Sequence, residues 1–172
     1  YAAQVLEIDP DTGTTTLIGY EYPGDGLYWT SVLAGNGKIY AAPNAGAQVL
    51  EIDPDAGTTT LIGDHYGYVG AGSYWTSVLG GNGKIYATPS SAKQVLEIDP
   101  ATETIRLIGD KYYGGEKYFT SVLGGNGKIY AAPYNAGKVL EIDPATATTR
   151  LIGDEYSGWS KYETSVLAGN GR

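Results

Sequence analysis

The groups in this chain best suited to contact a ligand are aromatic rings with a polar edge, and they are concentrated in four connections. These are Tyr20–Trp29 (YEYPGDGLYW), Asp64–Trp75 (DHYGYVGAGSYW), Asp110–Phe119 (DKYYGGEKYF) and Asp154–Glu163 (DEYSGWSKYE). They hold all three tryptophans, the only phenylalanine and most of the 16 tyrosines. A Tyr or Trp ring stacks on a sugar or side-chain face while its O–H or N–H meets a polar group, which suits recognition. The expected ligand contacts are Tyr22, Trp29, Tyr66, Tyr68, Trp75, Tyr112, Tyr113, Phe119, Tyr156 and Trp159, joined by Tyr134 and Asn135 from a neighbouring loop. A second aromatic column, Tyr28, Tyr74, Tyr118 and Tyr162, recurs at one fixed place and reads as packing between repeats.

Acid–base and metal chemistry find little support. The single histidine, His65, sits in one connection only, and a lone loop histidine is ordinarily solvated. No serine, histidine and acid set recurs, no glycine-rich lysine loop is present, and no His or Cys cluster has zinc spacing. No catalytic residue, metal ligand or cofactor is therefore expected. Asp64, Asp110 and Asp154 could offer oxygen ligands to calcium, but capping of the loop that follows is the plainer reading. Asp9-Pro10-Asp11-Thr12-Gly13 has the outline of a calcium loop, yet Ala101 and Ala145 replace the second aspartate in later copies.

Charge and composition exclude further classes. The chain carries a net −8 from 19 acidic and 11 basic residues, with no basic stripe, so a nucleic-acid partner is not expected. Its apolar runs span only a few residues, too short for membrane insertion. There is no cysteine, hence no disulfide framework.

The elements that position the aromatics are written in repeats. SVLGGNGKIYA at Ser77–Ala87 has close copies at Ser31–Ala41 and Ser121–Ala131 and a shorter one at Ser165–Arg172. Asn-Gly between short apolar runs predicts a hairpin with a two-residue turn, both of whose residues have positive φ. VLEIDP recurs from Val5, Val49, Val95 and Val139, and Leu-Ile-Gly from Leu17, Leu61, Leu107 and Leu151. One unit thus reads as strand A (TSVL), a turn, strand B (KIYA), a loop, strand C (QVLEID), a turn and strand D (TTTLIG). Glu7, Glu51, Glu97 and Glu141 on strand C are expected to pair with lysines such as Lys38, Lys84 and Lys128 on strand B.

A period in the forties built from four short antiparallel strands predicts an all-β propeller, with one blade per repeat and four blades visible. Residues 1–172 form a single domain with repeats at 1–29 (partial), 30–75, 76–119, 120–163 and 164–172, the last completing the first blade. The alternative is part of a larger ring, closed by a second copy or by flanking repeats. The TSVLGGNGKIYA, QVLEIDP, DPxTG and LIG series resembles the blades of the broad NHL, Kelch and quinoprotein-like propeller superfamily. It departs from each member: the Kelch paired glycines, the Trp-Asp ending of WD repeats and the quinoprotein tryptophan docking motif are missing.

In such a blade the B–C and D–A connections share one face, and the short turns share the other. Long, varied loops on a rigid scaffold are the usual place for recognition. A non-enzymatic binding module is therefore expected, lectin-like and multivalent, taking a glycan or protein ligand. A structural or protein-interaction scaffold is the alternative, as an array fragment or an engineered symmetric propeller, with a possible homo-oligomer. A lyase- or lactonase-type propeller comes third, as the resemblance implies. Near-identical adjacent repeats lead us to expect an extracellular or cell-surface location within a longer array.

Overall fold

A computed structural model of the chain describes residues 3–66 and 72–172. Tyr68, one of the expected contacts, lies outside these residues. Among the described residues every regular element is a strand. Blade 1 contributes β1 (Val5–Asp9) and β2 (Thr14–Ile18). Blade 2 contains β3 (Val32–Leu33), β4 (Ile39–Ala41), β5 (Val49–Asp53) and β6 (Thr58–Ile62). Blade 3 contains β7 (Tyr74–Leu79), β8 (Ile85–Pro89), β9 (Val95–Asp99) and β10 (Thr104–Ile108). Blade 4 contains β11 (Tyr118–Leu123), β12 (Ile129–Pro133), β13 (Val139–Asp143) and β14 (Thr148–Ile152). Blades 2 to 4 are four-stranded antiparallel meanders, and β1 and β2 form a two-stranded sheet. Among the described residues, 164–172 form no strand.

The A–B turn differs from the two-residue form. Gly37 N–H donates to Ala34 O (3.1 Å) and Ala34 N–H to Lys38 O (2.9 Å), which encloses three residues. Gly37 has φ +82° and the asparagine stays at negative φ. This is the three-residue loop whose last residue needs the left-handed region, so glycine sits there and the asparagine is freed for its side chain. Asn36 Oδ1 accepts the Lys38 N–H and its Nδ2 donates to the Tyr40 hydroxyl.

Blades stack through alternate residues of each strand. Leu96, Ile98 and Ala87 of blade 3 pack on Val32, Tyr40 and Val49 of blade 2. Leu140, Ile142 and Ala131 of blade 4 pack on Val78, Tyr86 and Val95 of blade 3. The same strand-C sequence has a different fate in blade 1, which has no neighbour on that side. Leu6 and Ile8 are 55% and 64% exposed, against 5% and 7% for Leu50 and Ile52.

The expected Glu–Lys pairs form. Lys38 Nζ donates to Glu51 Oε1 (2.7 Å), Lys84 to Glu97 (3.1 Å) and Lys128 to Glu141 (2.8 Å). Strand D adds Arg106 on Glu97 and Arg150 on Glu141. A buried carboxylate needs such partners, because desolvation alone would push it to the neutral form.

Candidate binding face

The B–C and D–A connections do share a face, and backbone hydrogen bonds bind them into one belt. Asn44 N–H donates to Leu27 O, Ser73 to Asn44, Ser90 to Ser73, Lys117 to Ser90, Tyr134 to Lys117 and Lys161 to Tyr134, all between 2.8 and 3.1 Å. Each donor's own residue is the next acceptor, so the belt crosses from blade to blade. Irregular backbone that would otherwise leave polar groups unpaired is satisfied in this way.

Side chains lock the belt. Asn44 accepts the Gly72 N–H (3.2 Å) and donates to Tyr74 O. Asn135 accepts the Ser160 N–H (2.8 Å) and donates to Glu116 Oε2 (3.2 Å). The buried ammonium of Lys117 donates to Ser90 O, Ala92 O and Gly114 O at 2.7 to 2.8 Å. Burial pulls its pKa down to about 8, against three carbonyl oxygens that favour the cation. Lys117 is a belt residue that sequence reasoning missed. Its equivalent Lys161, which bonds Gly158 O, offered the only recurrence as a signal.

Above the belt lies a ladder of aromatic rings. Trp29 stacks on Trp75 (4.7 Å between centroids, 9° between planes), Trp75 on Phe119 (4.1 Å, 8°) and Phe119 on Tyr134 (3.9 Å, 17°). Trp29, Trp75 and Phe119 each stand at the entry to strand A, one per blade. The β7 and β11 ladders are interrupted there: Tyr74 and Ser77 pair with Pro89 and Ala87, and Tyr118 and Thr120 with Pro133 and Ala132. A bulge re-aims the side chains it carries. Trp29 ends the ladder with 55% of its surface exposed.

The other expected contacts lie elsewhere. Tyr22, Tyr66 and Tyr112 are half-buried between blades. Tyr22 shares a hydrogen bond with Thr59 Oγ1 (3.2 Å), Tyr66 donates to Ile105 O (3.0 Å) and Tyr112 to Thr149 Oγ1 (2.7 Å). Tyr156 holds the same place after blade 4, where its N–H donates to Gly137 O (2.7 Å) and its ring meets Tyr162 edge-on. Tyr113 is exposed with the Lys93 ammonium 5.6 Å from its ring centre, and Trp159 is exposed without a ring partner among the described residues. Neither joins the ladder. Tyr28, Tyr74 and Tyr118 pack inward, as expected, each donating its O–H to the carbonyl of the residue before strand C. Burial holds all three hydroxyls above their ordinary pKa, Tyr28 at about 12.

The strand-C aspartates serve the turns. Asp9 accepts from Asp11 and Thr12, Asp53 from Ala56, Asp99 from Ala101 and Asp143 from Ala145. Among the described residues no three His, Cys, Asp or Glu side chains gather as a metal site would require. The chemistry the face offers is that of π-surfaces and fixed hydrogen-bonding groups.

No family model and no curated protein matches this chain. Several solved structures share its fold. Virginiamycin B lyase from Staphylococcus aureus is 18% identical, over 84% of this chain and 46% of that one, at a TM-score of 0.67. The extracellular domain of a putative one-component system from B. thetaiotaomicron is 10% identical, over 99% and 23%, at 0.71. An auxiliary nutrient binding protein from Bacteroides ovatus is 14% identical, over 98% and 41%, at 0.60. The chain spans less than half of each. These are propeller or repeat-like proteins, and each four-stranded sheet here is a propeller blade.

Proposed function

We propose that the chain is a non-catalytic binding module that takes a glycan or protein ligand on its aromatic face. The stack of Trp29, Trp75, Phe119 and Tyr134 carries the reading. Ring edges and the open face of Trp29 suit the C–H faces of a sugar or an apolar side chain, while Asn135 and the belt lie in the adjoining connections. Each inner ring already has a ring on both sides. The recognition surface is therefore one continuous strip, in place of the separate site per blade that the repeats lead one to expect.

An extracellular or surface location suits this reading, since an extracellular domain and a nutrient binding protein share the fold. A scaffold role is the second reading, and the closeness of the stack favours it, because rings covered by rings also stiffen a molecule. An array of immobilised glycans, run beside a protein pull-down, separates the two. Glycan retention that falls with Trp29→Ala supports the module. A protein partner held equally by wild type and Trp29→Ala supports the scaffold, and turnover of a lactone or sugar polymer would overturn both.

A further inference from the structure

Near-identical repeats make a departure from the repeat visible, and the connection from blade 3 to blade 4 carries one on the aromatic face. Gly26 (φ 60°), Gly72 (85°), Glu116 (51°) and Ser160 (52°) hold one place, two residues before Tyr28, Tyr74, Tyr118 and Tyr162. All four are left-handed, a region that glycine enters freely and that a residue with a side chain enters under strain.

The fold uses only the backbone at this place. A polar side chain of the neighbouring B–C loop holds its N–H: Asn44 Oδ1 accepts from Gly72 (3.2 Å), Ser91 Oγ from Glu116 (3.5 Å) and Asn135 Oδ1 from Ser160 (2.8 Å). Any residue but proline supplies that N–H, so glycine at 116 would serve the belt without strain. The longest of the three bonds steadies the one charged residue of the set.

The Glu116 carboxylate does little for stability. It is exposed and its Oε2 accepts Asn135 Nδ2 at 3.2 Å, while Oε1 has no hydrogen-bond partner among the described residues. One such bond between exposed groups is a small return for a strained backbone, and strain kept without a structural gain is characteristic of sites that meet a ligand. Lys117, next in sequence, does not answer the carboxylate: its three ammonium hydrogens go to Ser90 O, Ala92 O and Gly114 O.

Asn135 is oriented by the belt. Its Oδ1 is taken by the Ser160 N–H, which fixes Nδ2 as the donor toward Glu116 and leaves that nitrogen a second hydrogen. The pair adjoins the strip of rings. Asn135 directly follows Tyr134, Glu116 precedes Phe119 by three residues, and the two rings stack at 3.9 Å.

Resting on the reading of the aromatic face as a ligand site, we propose that Glu116 and Asn135 bind hydroxyl groups of an uncharged sugar at the Phe119–Tyr134 end of the strip. A carboxylate accepts hydroxyl hydrogens on both oxygens, and the amide N–H beside it donates to the oxygen of one of those hydroxyls. A hydroxyl meets both needs because it donates and accepts. A lysine or arginine side chain only donates, and would set the Asn135 N–H against a cation. A uronate would set its carboxylate against that of Glu116. The pair exists once, since the other connections have Gly26, Gly72 and Ser160 at the place of Glu116.

Retention on an array of immobilised neutral oligosaccharides, uronate oligosaccharides and lysine-bearing peptides tests the proposal, with wild type, Glu116→Gly, Glu116→Gln and Trp29→Ala compared. Wild type is expected on the neutral oligosaccharides. Glu116→Gly is expected to bind them about tenfold or more weakly, as loss of a hydrogen bond to a charged group does, while its melting temperature rises through relief of the backbone. Glu116→Gln keeps one acceptor and is expected to fall between. Neutral-sugar retention that falls with Trp29→Ala and is unchanged in Glu116→Gly would overturn this inference and leave the aromatic face standing. A lowered melting temperature in Glu116→Gly would overturn it by showing a structural role for the side chain. Retention confined to the uronate or peptide spots would overturn it too, and retention on none of the three would overturn the aromatic-face reading with it.

Discussion

Tyr118 and Phe119 are adjacent in sequence and serve opposite ends. The tyrosine is 1% exposed and donates to Lys138 O, while the phenylalanine stacks between Trp75 and Tyr134 on the aromatic face. Tyr118→Ala is expected to cost about 3–5 kcal/mol of stability, as loss of a buried aromatic does. Chemical denaturation measures it. Tyr112→Phe removes one hydroxyl from Thr149 and leaves the ring in place, so a loss of about 1 kcal/mol is expected. The two aromatic columns were not separable from sequence. Tyr22 and Trp29 sit in one connection with similar chemistry, and only blade stacking decides that one faces the neighbouring strand D and the other the ladder.

At the scale of strands, the sequence was most informative where two residue types recur on adjacent strands. Glu and Lys once per repeat, on strands joined by a turn, sufficed to predict the pairs at Glu51, Glu97 and Glu141. The asparagine of the A–B turn was read as turn geometry alone. Its bond to a proline carbonyl of the next blade, from Asn36 Nδ2 to Pro100 O (3.3 Å) and from Asn82 Nδ2 to Pro144 O (3.2 Å), was hidden, because it depends on how far apart two blades stack and not on any local pattern. The ion pairs also set acid sensitivity. Arg150 first and Lys128 next, working against burial, hold Glu141 at about 2, below its ordinary 4.5. Its contribution to stability is complete above about pH 4.5 and is lost as pH falls to about 2, since the unfolded chain takes up the proton first. Glu141→Gln is expected to flatten the fall in melting temperature over that window. An unchanged slope would assign the acid sensitivity to other groups.

The molecule as a whole is an arc of near-identical blades whose identity in sequence conceals differences in surroundings. VLEID is buried in blades 2 to 4 and exposed in blade 1 because only the former have a neighbour on that side. The same logic governs the aromatic face. Four similar connections suggest four similar sites, but rings from successive blades stack on one another and merge into a strip. The stoichiometry of binding reports this difference directly. Calorimetric titration of the chain with a glycan retained on the array is the most direct measurement. We expect one ligand per chain, and a Trp29→Ala variant with weakened affinity and an unchanged melting temperature. One ligand per blade, or undiminished affinity in Trp29→Ala, would contradict the account.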